Sequence, residues 1–238
     1  MKIEMVFTLD NLQSLQIHNK IVVTIDVLRA TTSMITAFEH GVTSIISVSE
    51  IEKAVKLKKN DPKSLLCGER NGERISGFDR GNSPFEYKEL KGFNLIFCST
   101  NGSKTIDMTK DSKKMYLGAL INAEAVAKLL IEKHIDDDIL FVCSGKLGRA
   151  CVEDTICAGY IITKIIDKIG LVDMDDASKI AISYYNSISD SLEGTIRNSE
   201  HGKYLASIGS EKDVEYCTMK DSTDIIPFFD KDDYEIKI

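Results

Sequence analysis

At 238 residues the chain is long enough for one large domain or two small ones. With 43% hydrophobic and 28% charged residues it has the make-up of a globular protein, and no apolar run reaches membrane-spanning length. A formal net charge of -7 argues against a general nucleic-acid surface, yet a local basic site for small anions is compatible with it.

The opening Met1-Lys2-Ile3-Glu4-Met5 carries an acid early and no long apolar core, so no signal peptide is expected and the cytoplasm is the default location. Short apolar runs then alternate with helical periodicity. Strands are expected over Lys2–Phe7, Lys20–Ile25, Ser44–Val48, Ser64–Cys67, Asn94–Cys98, Met115–Gly118 and Ile139–Cys143, several rich in the Val and Ile of buried strands. Between them, Ser49-x-x-Glu52 reads as a capping box opening a helix through about Lys59. Ser83-Pro84-Phe85-Glu86 reads as a second helix start, Asn122 as the cap of a segment through Glu132, and Val152–Ile169 as a long amphipathic helix closed by Gly170. Beyond Gly170, Asp173–Tyr185 and Ser199–Ile208 read as helices, with strand character returning only at Val214–Met219. The alternation predicts one α/β domain over residues 1–238: three layers, α/β/α, around a mostly parallel or mixed sheet. Residues 170–238 would form a mainly helical extension packed on that same domain.

The cysteines, Cys67, Cys98, Cys143, Cys151, Cys157 and Cys217, contain no Cys-x-x-Cys pair and are expected to be buried thiols. His18, His40, His134 and His201 show no metal-ligand spacing, which disfavours zinc chemistry.

In an open α/β sheet, ligands gather at the carboxyl ends of strands, beside helix N-termini. Asp26 follows one strand and is succeeded by Arg29 and by Thr31-Thr32 entering a helix, so a carboxylate for Mg²⁺, a cation and an anion seat stand together. Asp26 and Thr31 would equally serve as plain helix caps. The long loop from Gly68 to Ser83 holds Glu69-Arg70 and delivers Asn82 and Ser83 to a helix start. Ser99-Thr100-Asn101-Gly102 allows backbone amides to approach an anion, but lacks the lysine and spacing of a nucleotide-triphosphate loop. Ser144-Gly145-Lys146 and Arg149 precede Glu153-Asp154, acids that the macrodipole favours in a first helical turn whatever else they do. Together these loops hold what metal-assisted phosphoryl transfer asks for: carboxylates, cations and amide-rich turns.

Asp26-Val27-Leu28-Arg29-Ala30-Thr31-Thr32, Gly68-Glu69-Arg70, Gly81-Asn82-Ser83-Pro84, Ser99-Thr100-Asn101-Gly102 and Glu153-Asp154-Thr155-Ile156-Cys157-Ala158-Gly159 stand in the order seen in the 2-phosphosulfolactate phosphatase family. The chain resembles that family over nearly its whole length, Asp213–Cys217 being similar to its ending. The resemblance implies a Mg²⁺-dependent phosphatase acting on phosphate esters of 2-hydroxy acids, its named substrate being a precursor in coenzyme M synthesis. A substrate carrying phosphate, sulfonate and carboxylate would call on Arg29, Arg70, Lys146 and Arg149. The chain departs from the pattern at Cys98-Ser99-Thr100 and around Gly148-Arg149-Ala150-Cys151, which flank the expected anion site.

On this reading Asp26, Glu69 and Asp154 hold Mg²⁺ directly or through water, with Glu153 as an outer partner. Phosphate lies near Thr31, Thr32 and Asn101, and Arg29 offsets developing charge. Two alternatives stay open: Asp26 as a covalent nucleophile, although Leu28 stands where haloacid dehalogenase-like enzymes place a second Asp, and a non-catalytic module for anionic metabolites. No nucleic-acid or membrane partner is expected, and a homodimer is left open.

Overall fold

A computed structural model describes residues 1–12 and 15–238. In chain order the elements are β1 (Lys2–Val6), α1 (Leu9–Leu12), β2 (Ile21–Ile25), α2 (Ala30–Glu39), β3 (Ser44–Ser47), α3 (Ile51–Asn60), β4 (Leu65–Arg70), β5 (Glu73–Arg74), β6 (Asn94–Cys98), α4 (Gly102–Thr109), β7 (Lys114–Gly118), α5 (Ala123–Lys133), β8 (Asp138–Cys143), α6 (Val152–Ile169) and β9 (Asp173–Met174). Then come α7 (Asp176–Ile188), α8 (Leu192–Arg197), α9 (Glu200–Ser207), α10 (Glu211–Cys217), β10 (Phe228–Asp230) and β11 (Glu235–Lys237). All the strands expected from the apolar runs are present.

The strands form one mixed sheet in the order β5-β4-β6-β3-β11-β10-β7-β2-β8-β1-β9. On one side β4, β6 and β3 run parallel to one another, and on the other β7, β2, β8, β1 and β9 do so. The β10–β11 hairpin joins these blocks, antiparallel to β7 and to β3.

Alternation along the strands separates two apolar layers. Ile21, Val23 and Ile25 of β2 pack with α5, α6 and α7, through Leu130, Ile161 and Ala181 among others. Val22, between them, faces the opposite layer with Met34, Phe38 and Ile106 of α2 and α4. The result is the expected three-layer α/β/α fold.

Helix starts differ in detail from the sequence expectation. No side-chain cap bond is made at α3, whose N-cap is Glu50. Ser83 opens only a short 3-10 turn over Pro84–Tyr87, and its hydroxyl donates to Asp213 Oδ1 instead, at 2.7 Å. Asn122 stands at the start of α5 without capping it; its side chain accepts the Ala119 amide and donates to Leu117 and Ile225 carbonyls. Helix α6 spans the predicted residues and stops at Gly170, whose φ of 83° favours glycine. Asp175 and Ser199 cap α7 and α9 by accepting amides three residues on.

Two expectations about the C-terminal region need correction. Val214–Met219 is not a strand: α10 spans Glu211–Cys217, burying Asp213, Val214 and Cys217 at helical spacing. The last residues, rich in Asp and Lys, form the hairpin that completes the sheet. Each of its strands is three residues long, and Phe229 opposite Ile236 supplies its buried pair. Runs this short carry too little periodicity to be read as strands.

Helices α6 and α7 approach closely at Gly159. A Cβ there would fall 2.3 Å from the carbonyl oxygen of Ala181, a backbone atom that cannot swing aside. Helix propensity alone would reward an alanine. The collision outweighs it, and Gly159→Ala should destabilise the protein by about 1–3 kcal/mol. A lower urea midpoint at unchanged slope would confirm this; an unchanged or higher midpoint would refute it.

Candidate active site

The strand-end loops of both blocks open on a cavity of about 230 Å³. Asp26, Arg29, Glu69, Asn82, Thr100, Asn101 and Lys146 line it, all anticipated from the sequence. Asn71, His201 and Tyr204, among those not anticipated, complete the wall.

Each carboxylate at the site is held by a defined set of donors. Asp26 Oδ1 accepts the Ala30 amide at 3.2 Å. Glu69 is gripped at both oxygens, by the amides of Thr100 (2.7 Å) and Gly72 (2.8 Å). Asp154 accepts Val27 N–H at 2.9 Å and Gly145 N–H at 3.1 Å, tying the exit of β2 to that of β8. Glu153 receives Nδ1–H of His201 at 2.9 Å, the Ser199 hydroxyl at 3.4 Å and the thiol of Cys151. All four acids are buried, but only Asp26 and Glu69 line the main cavity.

Collecting acids in this way perturbs their protonation. Burial raises the Asp26 carboxyl to about 6; the Ala30 amide and His201 act against the rise, while the charges of Glu69 and Glu153 add to it. Asp154 is pushed well above the usual carboxylate range, by burial first and then by the charges of Asp26 and Glu153. Such a cluster attracts a cation.

Other expected site residues are placed elsewhere, for identifiable reasons. Thr31 and Thr32 are fully buried; their hydroxyls bond the Asp26, Gly118 and Val27 carbonyls. The first-turn amides of Ala30 and Thr31 are taken by Asp26 itself, so the anion seat expected there is filled from within. The turn after β6 is partly occupied in the same way: Ser99 and Ser103 bond each other, and the Thr100 amide goes to Glu69. Gly102 lies beneath Asp26, where a Cβ would come within 2.7 Å of Asp26 Oδ2. Arg70 turns from the cavity to the carbonyls of Glu69 and Ser49. Ser144 pairs with Thr105, Gly145 serves Asp154, Ser83 binds Asp213, and Arg149 is exposed beside Glu200.

Arg29 lines the cavity but is already engaged. Its guanidinium donates to Asp213 Oδ2 and to the Gly72 carbonyl, both at 2.5 Å, and to Ser210 at 3.2 Å. Lys146 reaches over the Tyr204 ring, with Nζ 4.1 Å from its centroid. Of the cations foreseen for substrate, then, Arg29 and Lys146 are at the cavity and Arg70 and Arg149 are not.

The cavity also holds orphan polar atoms. Asn82 Oδ1 and Thr100 Oγ1 are buried without a partner among the described residues, and both residues line it. Groups left this way call for a ligand. Together with the carboxylates of Asp26 and Glu69 they are oxygen donors of the kind a hard divalent cation such as Mg²⁺ would take. A softer set also exists: ligand atoms of Cys151, Glu153 and His201 lie within 4.8 Å of one another, although no spacing in the sequence suggests it. There Glu153 is already supplied by its three donors, and Lys146 and Arg149 line the small adjoining cavity, so a cation is less well served.

Buried carboxylates on backbone amides, with cations and orphan oxygens at a strand-end cavity of an α/β/α sheet, define a hydrolase-type site for small anions. Comparison with known proteins makes this specific: residues 6–232 match the family described as 2-phosphosulpholactate phosphatase, and the chain belongs to that family. It is therefore a phosphoric monoester hydrolase. Similar proteins named probable 2-phosphosulfolactate phosphatase include one from Clostridium tetani, 37% identical across 95% of this chain and 97% of its own. One from Clostridium acetobutylicum is 35% identical with the same coverage, and one from Thermotoga petrophila is 38% identical across 86% of this chain and 87% of its own.

The pair Arg29–Asp213 anchors α10 to the cavity wall. Removing one partner of a buried pair leaves the other charge uncompensated, at a cost of about 3–5 kcal/mol. Asp213→Ala should lose that much by urea unfolding, and a loss under about 1 kcal/mol would show that Arg29 reaches solvent or another acceptor.

Proposed function

We propose that the chain hydrolyses phosphate monoesters of 2-hydroxy acids with Mg²⁺, with 2-phosphosulfolactate the first candidate substrate, and that it works in the cytoplasm. The observation that carries the reading is the pairing of Asp26 and Glu69 with the orphan oxygens of Asn82 and Thr100 in one cavity. The relatives' names support the substrate class. Six free, buried cysteines suit a reducing compartment, and no helix among the described residues is long and apolar enough to cross a membrane.

Asp26 and Glu69 would hold the ion, with Asp154 fixing the two loops behind them. When bound, Mg²⁺ supplies charge stabilisation for the phosphoryl group and lowers the cost of ionising a nearby water. Arg29, held by Asp213, presents a fixed positive charge to the phosphate. Lys146 stands on Tyr204 where it would meet the carboxylate or sulfonate of the substrate. With two cations rather than four at the cavity, Arg29 and Lys146 would leave more of the substrate's charge to be met by a bound ion than the sequence alone suggests.

The test is phosphate release from 2-phosphosulfolactate, 2-phospholactate and phosphoglycolate, with and without Mg²⁺. Magnesium-dependent release is expected, and Asp26→Ala should reduce it at least about 100-fold in a folded protein. Retained activity in that variant would refute the role of Asp26. Ligand binding without release from any ester would favour a binding module, and an acid-stable phosphoryl-enzyme on Asp26 would favour a covalent route.

A pH dependence follows from Asp26. Its folded-state value, about 6, lies above its ordinary 3.8, so the native protein binds the proton more tightly than the unfolded chain. Without metal, stability contributed by this group should fall as pH rises from about 4 through 6, by on the order of 3 kcal/mol. Magnesium should remove much of that decline by stabilising the carboxylate. Urea midpoints across this range, with and without Mg²⁺, would show it; a decline unaffected by Mg²⁺ would place the ion away from Asp26.

A further inference from the structure

His201 has no role in the reading above, yet it stands between two cavities. It lines the main one with Asp26 and Glu69, and the smaller one with Cys151 and Glu153. Its Nδ1 is 2.9 Å from Glu153 Oε1, and Glu153 is almost fully enclosed. With Nδ1 committed, Nε2 is the remaining ring nitrogen, and it has no partner among the described residues. The ring also acts electrostatically on the Asp26 carboxyl, so it belongs to the same charged neighbourhood. A carboxylate on one imidazole nitrogen fixes the orientation of the ring and stabilises its doubly protonated form, in which the other nitrogen also carries a proton to give.

We propose that His201, as an imidazolium with Nδ1–H on Glu153 and a second proton on Nε2, is a catalytic residue that donates the Nε2 proton to the ester oxygen of the departing hydroxy acid, and that Glu153 is its positioning residue. This rests on the phosphatase reading above and adds the group that completes leaving-group departure. As the phosphorus–oxygen ester bond breaks, its electron pair stays on the ester oxygen, which takes the Nε2 proton and leaves as the hydroxyl of the product. The oxygen of water bonds to phosphorus; one of its protons stays on the phosphate and the other restores Nε2. Atoms and charges balance with no further reactant. An aliphatic alkoxide is a poor leaving group, so this ester class needs such a donor. Ser199 and the Cys151 thiol, both on Glu153, hold the carboxylate from the far side.

The discriminating experiment compares 2-phosphosulfolactate with its analogue carrying sulfur at the bridging position, whose thiolate leaves without a proton. In His201→Gln, hydrolysis of the oxygen ester should fall about 100-fold or more while the sulfur analogue loses less than about 10-fold. Retained turnover of the analogue also shows that the variant is folded. Glu153→Gln should show the same preference for sulfur with a smaller loss on the oxygen ester. Equal losses on both substrates, or no loss on either, would overturn the proposal while leaving the phosphatase reading intact. Wild-type protein inactive on both substrates would refute the phosphatase reading and this inference with it.

Discussion

The structure is organised around one electrostatic constraint: Asp26, Glu69, Glu153 and Asp154 are buried together at the strand ends. Removing a carboxylate from water costs several kcal/mol after relaxation, and neighbouring like charges add to that cost. Backbone amides meet it for Asp26, Glu69 and Asp154, and the side chains of His201, Ser199 and Cys151 meet it for Glu153. Hydrogen bonds to charged groups contribute about 1.5–3 kcal/mol each. The arrangement therefore persists, but with Asp26 and Asp154 held above the usual carboxylate range. The folded chain has invested local stability in a place where a cation is favoured.

The constraint explains why loops distant in sequence take the shapes they do. Turns after β2 and β6 resemble anion-binding turns in composition, and they do bind anions, but the anions are the protein's own carboxylates. Glu69 takes the Thr100 amide of the Ser99–Gly102 turn, and the Asp26 carboxylate takes the Ala30 amide at the start of α2. Sequence composition identifies such a turn without revealing its occupant. That is why Thr31 and Thr32, reasonable phosphate ligands by position, are structural hydroxyls instead.

Much of the architecture was legible. The central strands were marked by Val- and Ile-rich runs, and α6 by its periodicity and Gly170, because burial and backbone geometry impose these patterns locally. The β10–β11 hairpin and α10 were not legible: the former has one buried pair, and the latter is short, with an Asp on its buried side. Asp26, Glu69, Asn82, Asn101 and Lys146 could be placed because each lies at the end of a strand or in the loop beyond it. His201, Tyr204 and Asp213 could not. His201 and Tyr204 reach the cavity, and Asp213 reaches Arg29, through the packing of α9 and α10, a tertiary relation without a spacing in the chain.

The C-terminal helices are thus more than an extension. Asp213 on α10 neutralises Arg29, Tyr204 on α9 supports Lys146, and His201 on α9 meets Glu153. Each contact pairs one strand-end residue with one residue of the later segment, so the sheet supplies the acids while the helices set the orientation and charge of their neighbours. Cys151 also falls on this seam, where its thiol is bonded to Glu153. A change there would act on the histidine's support before it acted on Asp26 or Glu69. The orientation of His201, set by Glu153 in the smaller cavity, is therefore separable from the Asp26–Glu69 pair in the main one, although the carboxylates are neighbours.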